Sequence, residues 1–221
     1  MEIKNKYSAT FLFDKSNNWL EAYLDIKRFK SLFKHIYFNV AFSQYHVEEQ
    51  DIVFILGYTK IIKLENLNKN KLNLVVHESP LPKGRGFSPV QWQILQGFTK
   101  IPICLIEANQ EVDSGDIVFK NFFEIKKHDL YDKIREKQAI ATFKILEDFL
   151  SIYPNFSREK QNGKETFFNK RSKKDSELNP DLGLKKQFNL LRISNNEEWP
   201  AFFYLNGRKY IIKIYNCNDD N

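Results

Sequence analysis

The sequence of 221 residues contains only two cysteines, Cys104 and Cys217, and a single methionine. Two cysteines cannot build a disulfide framework, nor a metal cage on their own, and they suit a reducing compartment. No apolar run approaches the roughly 20 residues needed to cross a bilayer. The six-residue apolar stretch near the amino terminus is closed at once by Asp14 and Lys15, too short for the core of a secretion signal. These absences predict a cytoplasmic protein with no membrane partner. G-x-G-x-x-G, G-x-x-x-x-G-K-S and G-x-S-x-G are all missing, which removes the dinucleotide fingerprint, the P-loop and the nucleophile elbow. The four histidines show no metal-ligand spacing, so no metal is expected. No repeat or low-complexity tract is present.

What is abundant is aromatic and basic. Aromatic residues make up 15% of the chain, led by 20 Phe and 10 Tyr, within a hydrophobic fraction of 42% that supports a sizeable core. Lys and Arg outnumber acids 34 to 28, for a formal charge of +6, and much of the excess lies between Arg158 and Lys186. Such a balance suits nucleic acid, an anionic membrane, a phosphorylated small molecule or a merely solvated face. The Lys-rich segment has acids scattered through it and few aromatics, unlike a surface that stacks bases, so no nucleic-acid partner is expected.

Strands and helices alternate over the first two thirds of the chain. Strands are predicted at Ser8–Phe13, Ile36–Val40, Asp51–Gly57, Leu72–His77, Ile101–Ala108 and Ile117–Ile125. Helical spacing covers Asn17–Phe33, with Asn17 or Asn18 as N-cap, then Pro89–Gln96 and Leu130–Ile152. This order argues for an open α/β sheet built from right-handed βαβ units. After Tyr153 the chain turns polar and weakly periodic, then Ala201–Tyr215 reads as a β-hairpin about Asn206-Gly207. The expected organisation is a first domain over residues 1–153 and a C-terminal extension with a hairpin over 154–221.

Two sites stand out. His77 closes an apolar run and opens a turn rich in Pro and Gly that also carries Ser79, Lys83 and Arg85. Ligands of open α/β sheets bind beyond the carboxyl ends of the strands, and a histidine there can move protons near neutral pH. His35, His46 and His128 have no such address and read as surface or packing residues. The second site is Asp113-Ser114-Gly115-Asp116, in a loop between two strands. Alone it is ordinary turn chemistry.

Together the two sites resemble a known family. The stretch His77–Ile117, HESPLPKGRGFSPVQWQILQGFTKIPICLIEANQEVDSGDI, resembles the formyltetrahydrofolate-dependent formyltransferases. That family ends a strand in Asn-x-His, follows with a [ST]-x-L-P-[KR]-x-x-G loop and a Pro-led helix, and reaches D-[TS]-G-D-[IM]. Here Asp113 lies 36 residues after His77, the family's spacing. The GYTKII segment at 57–62 fits as well, and WPAFFYLNGRKYIIKI at 199–214 looks like the hairpin of sugar-nucleotide N-formyltransferases. One position departs: Val75 stands where the family has its catalytic Asn, and Asn73 lies roughly 13 Å further back on a regular strand.

The resemblance implies a Rossmann-like, mostly parallel sheet and transfer of a formyl group from N10-formyltetrahydrofolate to a primary amine. It implies His77 as the proton-transfer group and Asp113 as the residue that orients it. The folate pterin is expected on backbone groups near Gly57 and Leu105, Ile106, Glu107 and Ala108. Among acceptors, the resemblance points to a nucleotide-linked amino-dideoxy sugar, with dTDP-4-amino-4,6-dideoxyglucose as used for O-antigen and lipopolysaccharide expected ahead of methionyl-tRNA or glycinamide ribonucleotide. Its diphosphate and base are expected at Ser79, Lys83, Arg85, Asn17 and Trp19. A homodimer through the hairpin is expected, to cover its second apolar face. A non-catalytic sugar-nucleotide or folate binder remains the other reading of Val75.

Overall fold

Apolar runs that read as strands become neighbours in one six-stranded sheet. The computed structural model describes residues 6–17 and 19–217. In chain order the elements are β1 Tyr7–Phe13, α1 Ile26–Leu32, β2 Ile36–Ala41, β3 Ile52–Leu56, α2 Leu64–Leu67 and β4 Leu72–His77. They continue with β5 Arg85–Gly86, α3 Pro89–Leu95, β6 Lys100–Glu107, β7 Ile117–Glu124 and α4 Tyr131–Ile152. The last are β8 Phe167–Phe168, α5 Leu184–Arg192, β9 Ala201–Leu205 and β10 Arg208–Ile212.

The sheet order is β2-β1-β3-β4-β6-β7. The first four strands run parallel, whereas β6 is antiparallel to both of its neighbours. The reversal follows from the connection. The short helix α3 ends at Gly97, whose φ of +89° turns the chain back before it can cross the sheet. The sheet is therefore α/β and mostly parallel, with a separate antiparallel hairpin of β9 and β10. Asn206 and Gly207, at φ +51° and +72°, form the hairpin turn.

Alternation along the strands sends side chains to two faces. One face buries Phe11, Phe13, Phe54 and Leu74 against Phe29 of α1 and Phe143, Leu146 and Phe149 of α4. The Phe11 ring meets Phe29 edge-on at 5.0 Å and stacks on Phe38 at 5.6 Å. The other face buries Leu12, Val53 and Ile55 with Leu67 of α2, and beside them Cys104, Ile106 and Ile117. Helix α4 starts at the carboxyl edge of the parallel strands and runs to their amino edge, where Tyr153 packs edge-on to Tyr7 at 5.0 Å. That direction places its first two turns near the candidate site.

One predicted helix is not continuous. The segment expected to be helical from Asn17 to Phe33 forms a single 3-10 turn, Glu21–Tyr23, and then α1. Leu24 is extended at ψ 113°, and the cap is Asp25, whose carboxylate accepts from Arg28 N at 2.9 Å. Asn17 is thus not the N-cap, and Asn18 lies outside the described residues. No helix among the described residues is long and apolar enough to cross a membrane. Among them, no cluster of three or more His, Cys, Asp or Glu is placed to hold a metal ion.

Candidate active site

His77 is the last residue of β4 and is only 4% exposed. Its ring lies between two loops. Nε2 lies 2.8 Å from the Gly84 carbonyl oxygen, and Nδ1 lies 3.4 Å from Asp113 Oδ2. A carbonyl can only accept, so Nε2 carries a proton, and Nδ1 faces the Asp113 carboxylate. The same Asp113 oxygen accepts from Gly86 N at 2.8 Å. Asp113 adopts φ +53°, a left-handed turn that Asp tolerates better than most residues.

The two loops meet a strap from far along the chain. Residues 158–169 cross beside them. Glu159 bridges Ile117, and Arg158 pairs with Glu107 at 2.7 Å. Gln161 Nε2 donates to the Asp113 and Gly115 carbonyls at 2.7 and 2.9 Å. Thr166 Oγ1 accepts from Gly84 N at 2.9 Å, and β8 pairs in parallel with β5. Gly86, at φ +98°, admits no side chain, since a Cβ would stand 2.5 Å from the Phe168 carbonyl oxygen. The strap therefore fixes both sides of the His77 ring: Gly84 through Thr166, and Asp113 through Gln161.

The fold thus brings the two sequence motifs together, with His77 at the end of β4 held between the Gly84 carbonyl and the Asp113 carboxylate. The family profile described as formyl transferase matches residues 21–149. The chain belongs to the formyl transferase family. A methionyl-tRNA formyltransferase from Buchnera aphidicola subsp. Baizongia pistaciae is 30% identical over 183 residues, 80% of this chain and 55% of that protein. The chain spans about half the length of the curated relatives it matches. A methionyl-tRNA formyltransferase structure from Clostridium thermocellum superposes with TM-score 0.79 at 21% identity, covering 97% of this chain and 95% of that one. A sugar N-formyltransferase from a Shewanella species superposes with TM-score 0.69 at 18% identity, covering 94% of this chain and 97% of that one.

Beside this centre, where the family resemblance leads one to expect the folate, two loops converge on one cluster. Tyr58 and Ile62 after β3 and Ala108 after β6 all pack on Leu12, Val53 and Ile55. Gly57 turns at φ +58°, and its carbonyl accepts from Asn17 Nδ2 at 2.9 Å. Ile61 and Val112, on the same two loops, are 82% and 52% exposed, an apolar rim that an aromatic ring system would cover. Leu105 and Ile106 do not offer the backbone expected of them. They are buried inside the sheet, between β4 and β7, with a shift of register against β7 between the two residues. The amides of Glu107 and Ala108 are also committed, to the Asp116 and Asn73 carbonyls at 2.9 and 2.8 Å. The exposed part of this region is the rim of the loops.

Several expectations for the nucleotide are corrected. Arg85 is no free phosphate grip. It is 9% exposed, forms an ion pair with Glu165, and donates to Gln161 Oε1 from Nε at 3.1 Å and Nη2 at 2.8 Å. Ser79 is fully buried, and its hydroxyl finds no partner, so it does not reach a nucleotide. Asn17 spends its amide on Gly57. Trp19 packs on the core, and one face of its ring is covered by the Arg135 guanidinium at 4.4 Å. Lys83 is exposed and has no ion-pair partner among the described residues. Asn73 cannot replace the missing family Asn. Its amide donates to the Leu67 carbonyl at 2.9 Å and accepts from Asn70, in a strand paired with β3 without a bulge.

Sequence reasoning missed Gln161, Glu165 and Thr166, which lie about 80 residues from the loop they hold and have no local pattern. It also missed Arg135 and Gln138. These share the face of α4 that carries Tyr131, an i, i+4 and i, i+3 spacing visible in the sequence.

Proposed function

We propose that the protein transfers a formyl group from N10-formyltetrahydrofolate to the amino group of a nucleotide-linked amino-dideoxy sugar. The observation that carries formyl transfer is the pairing of His77 Nδ1 with Asp113 at the end of β4. The folate pterin and benzoyl rings fit the rim of Ile61 and Val112. The acceptor amine attacks the formyl carbon, and the carbonyl becomes an oxyanion. Bare Nδ1 takes the proton that the amine nitrogen loses. The imidazolium then lies beside the Asp113 carboxylate, which stabilises its charge, and its Nδ1–H donates toward the oxyanion. Collapse breaks the bond from carbon to N10 of the folate, and N10 receives the proton from Nδ1. Val75 supplies no amide, so His77 carries the oxyanion as well as the proton. A purely binding protein has no use for this proton-transfer pair.

An amino-sugar nucleotide is supported by the free cation Lys83 beside Gly84 and by the likeness to the Shewanella enzyme along nearly its whole length. A second reading, methionyl-tRNA, has the stronger support from likeness, since the Clostridium thermocellum structure of that name superposes more closely than the Shewanella enzyme. The curated relatives carry that name, and Lys160, Lys164, Lys170, Lys173 and Lys174 are exposed along and after the strap. We further propose a homodimer through the hairpin, where Ile211, Tyr204, Leu205 and Tyr210 are 60%, 51%, 48% and 44% exposed.

The deciding experiment incubates the protein with N10-formyltetrahydrofolate and, separately, dTDP-4-amino-4,6-dideoxyglucose, its UDP counterpart, glycinamide ribonucleotide and methionyl-tRNA. Mass spectrometry should detect a formylated sugar nucleotide, and His77→Asn should lower its rate by a factor on the order of 10²–10⁴. Formylation of methionyl-tRNA alone would transfer the proposal to that acceptor. Folate binding with transfer to nothing would end the catalytic reading.

A further inference from the structure

Arg85 is locked to the strap, and besides Lys83 the structure holds a second cation available for the charge of the proposed acceptor. Arg135 lies in the second turn of α4, at the carboxyl edge of the sheet, and is half-buried. Its guanidinium lies over the Trp19 ring at 4.4 Å and near the Tyr131 ring at 5.3 Å. Nε donates to the Tyr131 hydroxyl at 3.1 Å, and Nη1 donates to Gln138 Oε1 at 2.9 Å. Nη2 makes no hydrogen bond, and no carboxylate lies within ion-pair distance, among the described residues. Aromatic faces and neutral acceptors thus hold the group flat while leaving its charge unpaired.

The neighbours connect this cation to the reaction centre. Gln138 turns its amide nitrogen to Glu78 Oε1 at 2.7 Å, and Glu78 directly follows His77. Burial pushes the Glu78 carboxyl up, and the pulls of Gln138, His77 and Arg135 do not reverse it, so Glu78 is a poor counter-ion. On alternating strand geometry, His77 faces the Asp113 side of the sheet and Glu78 faces the α4 side. The folate rim lies on the first side and Arg135 on the second, with the end of β4 between them.

We propose that Arg135 is the oxyanion-binding residue of the formyl acceptor and takes a phosphate of the nucleotide-linked substrate through its free Nη2 edge. This rests on the acceptor reading given above. The free Nη2 presents two N–H donors to phosphate oxygens, and immobilisation by Trp19 and Tyr131 removes much of the entropy that an arginine loses on binding. A charge-assisted hydrogen bond of this kind is worth about ten- to a hundredfold in affinity. Trp19 therefore serves the site by holding Arg135, while the arginine makes the contact.

The test uses Arg135→Gln and Arg135→Lys in the full chain. Isothermal titration measures dTDP, inorganic pyrophosphate and 5-formyltetrahydrofolate, and steady-state kinetics measure the amino-sugar nucleotide. Arg135→Gln should weaken dTDP and pyrophosphate at least about tenfold and raise KM for the acceptor comparably. Folate affinity should stay within about threefold, which also shows that the variant is folded. Arg135→Lys should recover only part of the loss, because an ammonium keeps the charge but cannot lie flat over Trp19 or hold its donors in a fixed plane. Unchanged dTDP affinity and acceptor KM in Arg135→Gln, with the wild type formylating the sugar nucleotide, overturns this site and leaves the proposed function standing. A wild type that neither binds dTDP nor formylates any nucleotide sugar overturns both.

Discussion

Gly115 offers a direct test of how closely the Asp113 turn must lie against the sheet. A Cβ built on Gly115 would stand 1.7 Å from the Glu107 carbonyl oxygen and 2.7 Å from its carbon. Both are backbone atoms of β6, so neither can swing aside. In Gly115→Ala the turn must lift until that contact opens to about 3.0 Å, a movement of more than 1 Å. The bond from Glu107 N to Asp116 O, now 2.9 Å, and the two that Gln161 makes to the turn lie in the path of this movement. Strain and lost hydrogen bonds together should cost about 2–4 kcal/mol, a fall in Tm of roughly 5–10 °C for a chain of this size. The gap from Asp113 to His77, already 3.4 Å, opens further, and a misplacement near 1 Å costs about 10² in rate. Formyl transfer under saturating substrates and thermal melting supply the two readouts. Gly183→Ala is the control, since nothing lies within 4 Å of its Cβ position. If Gly115→Ala kept its rate within about threefold and its Tm within about 1 °C, the close approach would play no part in placing Asp113.

Two further outcomes are expected. Asp14 is fully buried after β1, and although burial alone would raise its carboxyl, hydrogen bonds from Thr59 and Ser16 hold it well below the usual carboxylate range. Its contribution to stability is therefore complete above the unfolded value near pH 3.9 and is lost as pH falls below it. Asp14→Asn, which cannot accept from both donors, should cost about 2 kcal/mol at pH 7 in urea unfolding, with a smaller deficit at pH 3; an equal deficit at both would refute the reasoning. For the hairpin, light scattering at tens of micromolar should give twice the chain mass, and Ile211→Lys should return a monomer; a wild-type monomer would sink the dimer.

The strands were legible because their apolar runs are long and bounded, and Leu72–His77 is found with both ends as read. The helix expected from Asn17 shows the limit of spacing arguments. Trp19 and Leu20 do pack inward, but Leu24 is extended and Asp25 caps a later start, so one periodic pattern is shared by two elements. His77 and Asp113 were legible because their motifs are local. The role of Arg85 was not. Lys83 and Arg85 look alike in sequence, and what separates them is Glu165 and Gln161, brought in by a strap with no periodicity of its own. Helix α5 escaped notice within a polar segment, because only its Leu190 and Leu191 face apolar neighbours.

The strap also sets an order of events in synthesis. When the ribosome has released the chain only as far as Tyr153, all six strands of the main sheet and both His77 and Asp113 are outside. Thr166, Gln161 and Glu165, however, are still within the exit tunnel. The loop from Ser79 to Ser88 and the Asp113 turn then have no partner to register them, and the histidine has no fixed carbonyl at Nε2. Domains fold as units while the chain emerges, so the sheet can form first and stand without a working centre. Competence arrives with the β8 pairing, in one late step that closes about 80 residues of chain.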